Sequence, residues 1–202
     1  KHLSAGVGGA GVTKNDSLWE RGIIFSDVGL PRAHGPYAER PYQHYFLAPN
    51  YKINDIIAAL LLSQLKKVDG YIENKVRAAQ NIIEGLSDVE EMGPQRVRPG
   101  DRHTYWSLGF TIDTDRLECS AKQFAGAVSK EGVPMGGPYV GTPEHGPLYR
   151  NPFLAEPNLY GHSRFPLDHG RENPVDYRKV VCPNGEALMS RTIGLSMLPS
   201  FT

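Results

Sequence analysis

Leu61, Leu65, Val68, Ile72, Val76, Ala79 and Ile83 recur at steps of three and four along one stretch of the chain. A helix brings such positions onto one face, so the spacing predicts a single long helix with an apolar stripe. Asn54-Asp55 suits its start, because either side chain can accept from the open N–H groups of a first turn. The pattern runs to about residue 84, where Gly85 suits the end. Gly70 inside it marks a place for a bend or break. Before this helix, residues 6–11 form a glycine-rich turn, and Val12-Thr13 read as a short strand. A short helix follows over 15–25, with Ser17 and Glu20 at capping-box spacing. Residues 29–49 form a loop rich in Pro, Gly, Tyr and His.

Beyond the long helix, residues 93–100 are punctuated by Pro and Arg. Residues 103–112, HTYWSLGFTI, have the aromatic and β-branched content of a strand. Ser120 is placed to cap a helix through about 131, with Phe124, Ala127 and Val128 inward. Gly132-Val133-Pro134 ends that helix and opens a second strand. Residues 136–178 lack periodicity and read as loops. Pro183 starts a short helix to 190, and 192–195 read as a final strand. Strands and helices alternate, which places the chain in the α/β class.

Composition excludes several functions. Lys plus Arg and Asp plus Glu both number 22, so the net charge is zero and gives no argument for nucleic acid or an anionic membrane. The longest apolar run, residues 56–62, falls far short of the roughly 20 residues that cross a bilayer. Cys119 and Cys182 have no metal-ligand spacing, and two distant cysteines argue for a reducing, cytoplasmic setting. His2, His34, His44, His103, His145, His162 and His169 show no tight ligand spacing either, so no metal is expected. Asn15-Asp16-Ser17 matches a glycosylation sequon, with nothing else to suggest secretion.

The residues with chemistry stand at few places. Gly6, Gly8 and Gly11 fit a dinucleotide-binding spacing, but that fingerprint needs a helix after the glycines, and Val12-Thr13 reads as extended. By composition alone, Lys1 is a solvated lysine before a tight turn and Asn50 is a loop or cap asparagine. The Tyr- and His-rich loops suit either a polyhydroxylated ring or plain solvent.

Two motifs change that weighting. Lys1, Leu3, Gly6, Gly8, Gly9 and Thr13 fall in register with the cofactor-lysine motif of DegT/StrS-type sugar aminotransferases, which runs approximately S-x-x-K-x-L-x-x-G-E-G-G-x-x-x-T. Val7 stands where that family usually has Glu. Residues 48–59, APNYKINDIIAA, resemble the family's G-Y-N-Y-R-M-T-D-I-Q-A-A, and LKKVD at 65–69 resembles its L-K-K-L-D. Lys52 stands where the family usually has Arg and keeps the charge. A looser likeness covers His103 to Trp106, Glu131 to Pro134, Tyr139, residues 145–149, and the ending at 195–199.

The resemblance implies a pyridoxal-phosphate transferase of fold type I, here its C-terminal portion with a small α/β domain. The expected layout is the tail of the cofactor-binding large domain over 1–50, a long linking helix over 51–86, and the small domain over 87–202. Lys1 is implied to hold pyridoxal 5'-phosphate as a Schiff base and to move the substrate's Cα proton. Asn50 is implied to reach the cofactor phosphate of the other subunit in a homodimer with shared active sites. Tyr139, His145 and Tyr149 are implied as substrate contacts. The expected reaction moves an amino group from glutamate or glutamine to a keto-sugar or keto-cyclitol. The rest of the cofactor pocket is expected in an N-terminal portion of the same enzyme. A dehydrating or eliminating relative is one rival, although such relatives commonly carry His at the lysine position. A non-catalytic, regulatory relative is the other.

Overall fold

The computed structural model describes residues 2–31, 39–137, 146–156, 159 and 163–198. It divides into two compact units, Lys1–Gly70 and Tyr71–Thr202.

In the first unit, α1 spans Asp16–Ser26. Its cap is Asn15, whose Oδ1 accepts from the Leu18 N–H at 3.0 Å. The Ser17–Glu20 box expected from the sequence does not form, because Asn15 already serves the first turn. Nor is Val12-Thr13 a strand: Val12 is 97% exposed and pairs with no described residue. α2 spans Asp55–Leu65, and Asn54 Oδ1 accepts from Ile57 N–H at 2.9 Å, as its place in the sequence suggests. α3, Val68–Gly85, begins at the end of this unit and continues into the second.

The single helix expected over 54–84 is therefore two. At their junction the Lys67 N–H turns back to Gln64 O at 3.0 Å, an i→i+3 bond that tightens and ends α2. Lys66 nevertheless keeps right-handed helical dihedrals (φ −65°, ψ −18°). The apolar period thus reads straight through a break that it does not record.

The second unit is built on a four-stranded antiparallel sheet. β1 is Met92–Pro94, β2 Ser107–Ile112, β3 Met135–Gly136 and β4 Thr192–Ser196, in the order β1-β2-β4-β3. Along β2, Leu108, Phe110 and Ile112 are buried and their neighbours are not, as period-two alternation demands. The register sets Leu108 opposite Leu195 and Phe110 opposite Ile193, so the buried sets of both strands share one face. Ala78 and Ala79 of α3 pack on that face, with Ala121 and Ala125 of α4, Ala121–Lys130. Alanine lets a helix approach a sheet closely. Each fully buried Leu, Ile or Phe here contributes on the order of 2 kcal/mol. Ala125, not Ala127, is the inward alanine of α4; Ala127 is exposed.

α4 begins at Ser120 as expected, and Gln123 completes a reciprocal capping box with it. Two 3₁₀ turns, Leu148–Arg150 and Tyr177–Lys179, and α5, Pro152–Ala155, lie in the long loop region. α6, Pro183–Arg191, leads directly into β4.

The strand expected over 103–112 starts only at Ser107. Tyr105 has φ 46°, a left-handed conformation that breaks the pleat. Its N–H donates to His103 Nδ1 at 2.9 Å instead of to a strand. The break turns the Tyr105 ring into the core, where 6% of the residue is exposed. Leu108 sits at the centre of this packing with no exposed surface. Leu108→Ala is expected to cost about 3 kcal/mol, the usual loss for a buried leucine, read as a lower denaturant midpoint at unchanged slope.

Candidate functional site

Where α1 ends, the chain makes an unusual turn. Asp27 follows the helix, Val28 takes φ 49° and Gly29 φ 80°. A positive φ at a β-branched residue is a genuine outlier, since the branched Cβ crowds the backbone there. Gly29 is the residue the site cannot exchange: a Cβ on it would lie 2.2 Å from Phe46 O. The turn is held from several sides. Gly29 N–H donates to Ile24 O at 2.9 Å, Tyr45 N–H to Gly29 O at 2.9 Å, and His44 Nδ1 to Val28 O at 2.8 Å. Phe25 stacks on Phe46 and meets Tyr51 edge-on, with centroids 6.3 and 6.0 Å apart.

This turn pairs with the segment carrying Asn50. Asp27 and Asn50 form an antiparallel bridge, flanked by Val28 N–H to Pro49 O at 3.1 Å and Tyr51 N–H to Ser26 O at 2.8 Å. That pattern makes Asp27 and Asn50 a non-hydrogen-bonded pair, the kind whose side chains project from the same face and approach most closely. Lys52 lies two residues on. Its ammonium is 3.4 Å from Asp27 Oδ2, with the carboxylate buried and the lysine half exposed. Asn50 Oδ1 accepts from the Lys52 N–H at 3.2 Å. A backbone N–H can only donate, so this bond fixes which amide atom is oxygen. Asn50 Nδ2, with two N–H donors, makes no hydrogen bond among the described residues.

A phosphate oxygen accepts hydrogen bonds and carries negative charge. An exposed amide whose oxygen is already used offers two donors, and the ammonium two residues on is held nearby by Asp27. The residues present at Asn50 thus fit a phosphate-bearing cofactor. Lys1, Tyr139 and His145 lie outside the described residues.

Tyr149 belongs to the second unit and serves a different arrangement. Its hydroxyl donates to Glu186 Oε1, and Arg150 Nη2 pairs with Glu186 Oε2. The Cys182 N–H at the start of α6 donates to Tyr149 Oη at 3.2 Å and to Glu186 Oε1 at 3.3 Å. The 3₁₀ turn at Leu148–Arg150 is thereby pinned to the first turn of α6. Burial and the Glu186 carboxylate push the Tyr149 hydroxyl above its ordinary value. The Tyr149 bond holds Glu186 below its own.

Two residues escaped the sequence reading. Asp27 is one; it looks like an ordinary residue at a helix end, and only the bridge to Asn50 gives it a role. Lys75 of α3 is the other, 2% exposed within an otherwise apolar face. Its ammonium lies 5.3 Å from the centroid of the Trp106 ring, a cation–π contact that offsets part of the burial cost. Burial lowers its pKa. Among the described residues, no group of three or more His, Cys, Asp or Glu is placed to hold a metal, and no helix is long and apolar enough to cross a membrane.

Residues 1–164 match the model of the DegT/DnrJ/EryC1/StrS aminotransferase family. The chain belongs to that family. It is 27% identical over 114 residues to a GDP-perosamine synthase of Escherichia coli O157:H7, a match covering 56% of this chain and 29% of that protein. It is 26% identical over 147 residues, 72% of the chain and 34% of the relative, to a Micromonospora echinospora protein provisionally named an L-glutamine:3-amino-2,3-dideoxy-scyllo-inosose aminotransferase. The sugar aminotransferase CalS13 of Micromonospora echinospora superposes at TM-score 0.68 with 17% identity, over 100% of this chain and 46% of that one. Helicobacter pylori PseC, an aminotransferase of pseudoaminic acid biosynthesis, gives TM-score 0.68 at 17% identity over 94% and 43%. The fold is therefore that of fold-type-I sugar aminotransferases, and the chain spans less than half the length of each of these relatives.

Gly29→Ala is expected to destabilise the protein by about 2 kcal/mol or more, through strain at a left-handed position and overlap with Phe46 O, read as a lowered thermal midpoint. Glu186 has a depressed pKa, so its contribution is present above the ordinary value of 4.5 and lost as pH falls through the folded value. Tyr149 has a raised pKa, so its contribution is present below 10.0 and lost as pH rises through the folded value. Glu186→Gln should flatten the acid limb of a midpoint-versus-pH curve and Tyr149→Phe the alkaline limb.

Proposed function

We propose that this chain is the lysine-bearing portion of a pyridoxal-phosphate-dependent aminotransferase that moves an amino group from glutamate or glutamine to a keto-sugar or keto-cyclitol. The observation that carries the reading is the Asn50 amide, whose oxygen accepts from the Lys52 N–H, so that its two N–H donors are left without a partner among the described residues. Family membership supports it, and so do the sugar and cyclitol names of the two relatives.

The residues divide the work. Asn50 Nδ2 would donate to a phosphate oxygen, and Lys52 would add charge without the fork geometry of an arginine. In this reading Asn50 serves the site of a second copy, so the working form is a homodimer. Lys1 Nζ would hold the cofactor covalently and, once displaced by the amino donor, take and return the proton at the substrate Cα. The cofactor, when bound, supplies the electron sink for that proton transfer. Tyr149 has its hydroxyl committed to Glu186 and would present only its ring to a substrate.

The natural polypeptide that carries these residues should bind pyridoxal phosphate. Borohydride reduction followed by peptide mapping should then place the label on Lys1. A label on any other lysine overturns the assignment. Incubation with a keto-sugar and glutamate or glutamine should yield the amino-sugar; a dehydrated product would select the eliminating reading instead.

A further inference from the structure

We infer that Asp27 is a positioning residue for the phosphate contact, acting through the turn at 27–29 and the Lys52 ion pair to aim the Asn50 amide. The inference rests on the reading of Asn50 as a phosphate ligand and goes beyond it to a residue that the family motifs do not include. Four observations carry it.

Asp27 is a buried carboxylate, 3% exposed, in a unit where most charged side chains face solvent. Burying a carboxylate is costly unless it is paired. Its partner Lys52 is half exposed and could reach solvent freely, yet it is drawn to within 3.4 Å of Oδ2. Asp27 is also the residue bridged to Asn50, so its side chain and the amide share one face. Finally, the next residue is Val28 at φ 49°, and backbone strain of this kind persists only where surrounding contacts impose it.

The parts form a closed loop. The bridge holds the Asn50 backbone against Asp27. The carboxylate holds the Lys52 side chain over the same face. The Lys52 N–H holds Asn50 Oδ1 at 3.2 Å. Together they leave Nδ2 as the outward group, which is the group a phosphate needs. Simple electrostatics predicts the opposite role for Asp27, since a carboxylate beside a phosphate site repels the ligand. The two accounts therefore differ in sign.

The test uses the natural polypeptide carrying these residues, titrated with pyridoxal phosphate and separately with pyridoxal, which has the same ring and aldehyde but no phosphate. Asp27→Asn should weaken pyridoxal phosphate binding about tenfold, the weight of one charge-assisted hydrogen bond, and leave pyridoxal binding unchanged. Asp27→Ser removes the same carboxylate with a smaller polar side chain and should act in the same direction, so the test survives a failure of Asp27→Asn to fold. Adding Asp27→Asn to Asn50→Ala should cause no further loss. The proposal is overturned if both ligands weaken equally, if pyridoxal phosphate binds more tightly, or if the Asp27 and Asn50 effects multiply. If Asn50→Ala alone leaves the preference for pyridoxal phosphate intact while the label stays on Lys1, the premise about Asn50 fails and the role of Asp27 falls with it.

Discussion

Between β2 and β4, Leu108 faces Leu195 and Phe110 faces Ile193. The second unit depends on this register. A slip of one residue would turn every buried side chain of a strand to the opposite face. α3 and α4 could then no longer dock through their alanines. β1 and β3 are too short to stand alone, and each is a strand only because it pairs with β2 or β4. The loops between these strands are anchored in turn. Glu186 and Tyr149 fasten the first turn of α6, the helix that feeds β4, to the 3₁₀ turn at Leu148–Arg150.

The first unit follows another principle. Among its described residues there is one isolated bridge where the second unit has a sheet, and few side chains are buried. Its order comes from a turn that is unfavourable by itself, Val28 and Gly29 at positive φ, held by carbonyl and imidazole contacts around it. Strain of this kind is tolerated where position matters more than stability.

The sequence made caps and alternation legible because these are local. Asn54, Ser120, Gly85 and Pro183 each act within a turn of themselves, and the pleat of β2 and β4 shows in neighbouring residues. Features set at long range escaped. β1 contains Gly and Pro, both poor strand formers, and exists through its partner. The start of β2 was misplaced because nothing near Tyr105 signals a left-handed residue. The break after Leu65 was hidden because Lys66 stays helical. Asn15 and Ser17 are both capping residues, and spacing alone chose the wrong one. At the candidate site, the motif over 48–59 singles out Asn50. It does not single out Asp27, because the partner of Asp27 lies far along the chain.

The turn between α2 and α3 has a further consequence. Lys66 and Lys67 are adjacent and exposed there, just before the divide between the two compact units. Backbone in an exposed turn opens more readily than backbone inside a helix. A lysine-directed protease thus meets its preferred residues at the place where one cut separates the asparagine-bearing segment from the antiparallel sheet.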